Sequence, residues 1–240
     1  MSKQFKIERR GLFLAFLYFS CMIYILIKGF TNGIVGCGMD RIIFGMNPRQ
    51  YMMIFWLPYF IVYYCFFRND FSVNQILRKR KKKQILYEQQ LKILECAVWF
   101  QFIFLGICLL INHDLRLLDW SSRKSMYYAN TLQTTSLSGG ELLLVVAMIG
   151  IVRLTIIGNV INLCFWYTNS LLLGNIIIII GLVCESVFPK VQLITRWCKV
   201  DYNFFAFNSE KFQLAIYLCV IFMVITGLYL YILRKKEFFE

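Results

Sequence analysis

Arg153 stands near the middle of a long apolar run. A charge at that depth in a bilayer costs at least about 2.5 kcal/mol and is tolerated only against protein or water. Further along the same run Thr155, Asn159 and Asn162 recur at i, i+4, i+7, a polar stripe separate from Arg153, and Asn175 lies in the next run. Buried polar side chains of this kind either hydrogen-bond neighbouring helices together or line a substrate path or subunit interface, and both readings stand at this point. Glu95 and Glu185 are candidate counter-charges for Arg153. Glu95 is placed at the inner end of its run and Glu185 near the outer end of another, whereas Arg153 is placed at mid-depth, so neither is expected to pair with it.

Hydrolytic and metal chemistry lack their residues. The two intramembrane carboxylates fall at opposite faces, no GxSxG occurs, and there is a single histidine, His113, with no CxxC pair. No metal and no cofactor is expected, and without a P-loop the chain has no ATP-binding machinery of its own. Seven of the 9 cysteines sit inside apolar runs and read as small hydrophobes; Cys37 and Cys198 lie in connecting segments, where a bridge would require oxidising conditions and suitable geometry.

The elements that must position these residues follow from composition. Of 240 residues 59% are hydrophobic, well above the share in a soluble domain. Runs long enough to cross a bilayer cover 11–30, 51–67, 93–111, a double-length block that divides at Tyr167-Thr168-Asn169 into 141–166 and 170–188, and 212–233. The sequence therefore predicts an all-α polytopic protein, a single transmembrane domain over 1–240 with six spans. The first run is too long for a signal-peptide core. Pro58 in the short second run predicts a kink or residues borrowed from a flank. Gly139-Gly140 and the cluster Gly33, Gly36 and Gly38 read as turns at helix ends.

The net charge of +13 is unevenly placed. With the N-terminus inside, the inner segments carry 15 Lys and Arg in about 45 residues and the outer ones 9 in about 70, so both termini are expected in the cytoplasm. Enrichment in Ile, Phe, Lys, Asn and Tyr is that of an AT-rich coding genome, and a bacterial cytoplasmic membrane is the expected location. Within the inner segment 68–92, Phe71, Val73, Ile76 and Leu77 give a short helix an apolar side, and six consecutive basic residues, Arg78 to Lys83, follow. Two compatible roles fit: contact with anionic lipid headgroups, and a coupling helix lying across the membrane face and docked in a groove of a partner protein. A nucleic-acid interface is not expected, because no aromatic platform accompanies the charge. In the last outer segment Gln192, Arg196 and Lys199 share one side while Val191, Ile194, Trp197 and Cys198 share the other, predicting an amphipathic helix at the outer interface that rests on the bilayer or closes an extracellular gate.

In architecture the chain resembles a small permease subunit of the ABC-2 transporter type, of the kind associated with peptide export or antimicrobial-peptide immunity in low-GC Gram-positive bacteria. The resemblance covers nearly the whole chain: a basic N-terminal arm, a cytoplasmic stretch between spans two and three (Arg68 to Lys92), and a membrane-hugging outer segment between spans five and six (Pro189 to Phe207). The outer stretch between spans three and four and the mid-depth Arg153 depart from it. It implies that Phe71, Val73, Ile76, Leu77, Arg78 and Arg80 form the coupling helix, that the chain pairs with a second copy or a related permease and with separate ATP-binding cassette ATPase subunits, and that it moves an amphipathic or hydrophobic substrate such as a peptide without being an enzyme itself. A non-transport membrane protein (immunity, sensor or assembly factor) and a lipid-modifying enzyme are the other readings.

Overall fold

Apolar sequence at helical spacing becomes helix almost throughout. The computed structural model describes residues 12–25, 37–67, 82–111, 120, 125–135, 137–188, 190, 193, 198 and 200–235, and all their regular structure is helical. In chain order the elements are α1 (Leu12–Ile25), α2 (Gly38–Gly45), α3 (Pro48–Tyr51), a π turn (Met52–Trp56), α4 (Leu57–Phe67), α5 (Lys82–Ile111), α6 (Met126–Thr131), α7 (Gly139–Thr168), α8 (Leu171–Val187), α9 (Tyr202–Ala206) and α10 (Asn208–Lys235). Three of them, α5, α7 and α10, are long and apolar enough to cross a membrane; α1, Ile54–Phe67 and α8 are shorter apolar helices. This is the make-up of a membrane protein.

Local chemistry sets the ends. Ser138 caps α7 reciprocally with Glu141, its backbone N–H donating to the Glu141 carboxylate at 2.8 Å while its hydroxyl accepts from the Glu141 N–H at 3.4 Å. The helix stops at Asn169, whose φ of 57° turns the chain left-handed next to the polar break read from sequence. The second run borrows from its N-terminal flank: Pro48 takes a first-turn position where its missing N–H costs nothing, and the helical path continues to Phe67. Pro58 cannot donate to Ile54 and crowds that carbonyl, and the wider π turn immediately before it lets the path run on. α5 begins 11 residues earlier than the apolar run at Ile93, because Ile85, Gln89 and Ile93 already face other helices.

Chain direction alternates among α4, α5, α7 and α8. α4 runs parallel to α7, with Tyr59 donating to the Leu154 carbonyl and Tyr63 to that of Gly158, both at 3.2 Å. α5 runs antiparallel to α7: Gln101 lies against Gly150, where an added Cβ would collide with the Gln101 amide, and Ile93 lies against Gly158, where one would come within 2.7 Å of Ile93. α8 folds back on α7 through a close approach at Gly174, whose Cβ would lie 2.9 Å from the Ile161 carbonyl oxygen. Phe19 of α1 joins the core between Phe55 and Phe100, with ring centroids 5.2 and 5.0 Å apart.

Candidate functional site

Arg153 is fully buried at the centre of this arrangement. Its guanidinium donates to the Met46 carbonyl at 2.8 Å and to the Cys198 carbonyl, and its carbon lies 4.5 Å from the centre of the Tyr51 ring. One side chain on α7 thus ties down the turn after α2, the start of the second apolar run and the segment between α8 and α9. Its planar fork suits two carbonyls at once, and a desolvated cation over an aromatic face contributes about 2 kcal/mol.

Glu185 is fully buried, and its charge acts on the guanidinium of Arg153 from the neighbouring helix. The reason is the hairpin: its turn is at Asn169, Arg153 stands 16 residues before it and Glu185 16 after, so antiparallel pairing brings them to one depth. Glu95, by contrast, is exposed on α5. Glu185 also accepts the Leu193 N–H at 2.7 Å, and the Leu193 carbonyl accepts the Tyr217 hydroxyl at 2.8 Å. The described backbone groups of the segment between α8 and α9 are therefore bonded to α8, α10 and Arg153. Accordingly the amphipathic helix expected there is absent at its described residues, Lys190, Leu193, Cys198 and Val200. Ile194, Arg196 and Trp197 lie outside the described residues, as do Phe71, Val73, Ile76, Leu77, Arg78 and Arg80.

Asp40, which sequence reasoning passed over, organises the same end of the bundle. Its fully buried carboxylate accepts from the Cys37 N–H (2.9 Å), the Met126 N–H (3.2 Å) and Trp120 Nε1 (3.0 Å), and the Tyr202 hydroxyl also reaches it. Trp120 stacks on Tyr127 at 4.7 Å and meets Phe205 edge-on at 5.1 Å. Parts of all three segments assigned to the outer face, around Asp40, Trp120 and Tyr202, are thus sealed together. Burial, reinforced by the Asp40 charge, pushes the Cys37 thiol up to about 12; burial also pushes the Cys198 thiol up to about 11, with Arg153 pulling down and Glu185 pushing up. Both are free thiols, so no Cys37–Cys198 bridge is present. The sequence signal for Asp40 was its position three residues after Cys37 at a helix start; its partner Trp120 left no signal.

The polar stripe divides. Thr155 and Asn159 bond back to carbonyls four residues earlier on α7, at 2.8 and 2.9 Å, and Asn175 does the same on α8 at 2.7 Å. Among the described residues, Asn162 is the one of these whose side chain reaches another helix, donating to the Tyr229 hydroxyl of α10 at 3.0 Å, while that hydroxyl donates to the Asn159 carbonyl at 3.3 Å. One turn beyond, Trp166 Nε1 donates to Gln89 of α5 at 2.6 Å within a small core of Ile85, Leu163, Ile225 and Ile232. So α7 is held at its far end by α5 and α10, and near its middle by Arg153. Among the described residues no His, Cys, Asp or Glu cluster has metal-binding geometry. Compared with protein-family models, with curated proteins and with solved structures, the chain matches none of them.

Proposed function

We propose that this chain is the membrane-spanning permease subunit of an ATP-driven transporter, working with separate ATP-binding cassette ATPase subunits and a second permease, and moving an amphipathic or hydrophobic substrate such as a peptide across a bacterial cytoplasmic membrane. The observation that carries the reading is α7, an unbroken helix of 30 residues clamped at two levels. At its inner end Trp166 is gripped by Gln89, which lies on α5 seven residues after the first residue of that helix, Lys82. At mid-length Arg153 holds the outer segments shut. A push delivered by a partner on Phe71 to Arg80 would enter α5, pass through the Gln89–Trp166 contact and move α7 as a rod, releasing the Arg153 contacts. Alternating chain directions, and the gathering of alternate connecting segments at one end, support six crossings with both termini in the cytoplasm.

The test is co-purification with an ATPase partner and substrate-stimulated hydrolysis. Replacing Phe71, Ile76 and Leu77 by Ala is expected to loosen the partner or uncouple hydrolysis from transport, because apolar anchors carry most contact energy and exposed charge pairs only about 0–1 kcal/mol. Gln89→Leu is expected to keep the partner and uncouple. No ATPase in purified native complexes, with function retained by the lone chain, would favour the immunity or sensor reading instead.

A further inference from the structure

A small cavity lies between α3 with its π turn, α7 and α8, and its volume of about 10 Å³ is the room in which the centre of one water molecule can move. Much of its wall is aliphatic, from Ile157 on α7 to Ile178 and Leu182 on α8. Tyr51, Trp56 and Asn175 also line it, and the Tyr51 hydroxyl, Trp56 Nε1 and Asn175 Oδ1 are buried with no hydrogen-bond partner among the described residues. Tyr51 is 1% exposed and Asn175 2%. Both side chains are held in place. The Tyr51 ring is stacked on Phe55 at 4.4 Å and lies against the Arg153 guanidinium, while the Asn175 amide is pinned by the bond from its Nδ2 to the Leu171 carbonyl at 2.7 Å, which leaves Oδ1 to accept. Tyr59, also at the cavity, already gives its hydroxyl proton to the Leu154 carbonyl.

We infer that this cavity is a binding site for one water molecule, which joins the π turn, the ring beside Arg153 and α8 through Trp56, Tyr51 and Asn175. Buried polar atoms in folded proteins are satisfied by protein or by ordered water, and three at one cavity call for a shared partner. Size and chemistry select it. The room admits a single heavy atom, so an organic ligand is excluded. A cation would face the Trp56 N–H and the nearby Arg153 guanidinium, and an anion would face Asn175 Oδ1. Water accepts from Trp56 Nε1, donates to Asn175 Oδ1 and exchanges one more bond with the Tyr51 hydroxyl, about the three bonds that buried waters make. The π turn ends at Trp56, so the water ties the widened part of the helical path to α8. The inference concerns hydration of the helix bundle and holds for a chain of any activity.

The test is X-ray radiolysis of the full chain in nanodiscs of neutral lipid. The beam turns a bound water into a hydroxyl radical in place, the radical oxidises the ring it touches, and peptide mass spectrometry reads the rate at each tyrosine. Tyr63 is the reference, as buried as Tyr51 and with its hydroxyl bonded to the Gly158 carbonyl. In the wild type Tyr51 is expected to oxidise at least about fivefold faster than Tyr63, since only Tyr51 has a water beside it. Asn175→Leu keeps the shape of the side chain without the acceptor and should bring Tyr51 down to the Tyr63 rate; Trp56→Phe removes the donor and should also lower it. A faster rate at Tyr63 marks a variant that has not folded, and the other variant then decides; the wild-type comparison stands by itself. Equal rates at Tyr51 and Tyr63 in the wild type would overturn the proposal. So would a fast Tyr51 that stays fast in the folded variants, because its oxidation would then come from opening of the bundle.

Discussion

Replacing Arg153 by Leu should unlock the outer segment, and the size of the effect can be worked from its contacts. Two bonds from a charged donor to the Met46 and Cys198 carbonyls contribute about 1.5–3 kcal/mol each, and the Tyr51 ring about 2 kcal/mol. Against this stands a desolvation cost of several kcal/mol for the guanidinium, so the pair of terms largely cancels while the charge is in place. Removing it is another matter. Two buried carbonyls lose their donor, at about 1–3 kcal/mol each. At the lower figure for both, about 2 kcal/mol, the opened form gains roughly 30-fold in population. Cys198 reports on it, because the residue is fully buried and alkylates only from an opened form. The assay is alkylation of Cys198 at fixed pH, quantified by peptide mass spectrometry. Loss of Arg153 also removes an influence that lowers the Cys198 pKa, which by itself would slow the reaction. Faster labelling therefore reports opening, not acidity. Arg153→Lys keeps the charge without the fork and should fall between the two. Labelling of Cys198 in folded Arg153→Leu within about threefold of wild type would refute the latch.

Further outcomes follow from other contacts. Cys37 should alkylate slowly at pH 8 and keep gaining about tenfold per pH unit past pH 9, where an ordinary thiol levels off, because its pKa is held near 12; a plateau at pH 9 would contradict its burial beside Asp40. In Asp40→Asn the missing negative charge should move that curve to lower pH, and an amide N–H₂ facing donors should lower thermal stability in detergent by about 2 kcal/mol. Gly174→Leu should destabilise by about 1–3 kcal/mol, since even the first added carbon would sit 2.9 Å from a carbonyl oxygen, whereas Gly227→Ala, with nothing within 4 Å, should be neutral or gain up to about 1 kcal/mol in the same melt. Tyr59→Phe and Tyr63→Phe should each cost about 1 kcal/mol, measured the same way.

Sequence by itself determined what depends on local pattern and on solvent: the helical class, the apolar runs, the break near Asn169, the need to bury Arg153 and the unusual path around Pro58. These follow from nearest neighbours and from the cost of placing polar groups in lipid, which every residue carries with it wherever the chain goes. Tertiary structure decided which groups meet. Glu185 was set aside because depth was counted within each run separately; only the hairpin, with its turn at Asn169, places it level with Arg153. Asp40 and Trp120 are 80 residues apart and neither carries a pattern that names the other. The last outer segment had helical periodicity, yet its described backbone groups bond to Arg153, Glu185 and Tyr217, because a buried charge on a neighbouring helix binds a carbonyl more strongly than a marginal helical turn can. Periodicity states which faces of a helix are apolar; what those faces and the buried charges find is set by the packing of the whole bundle.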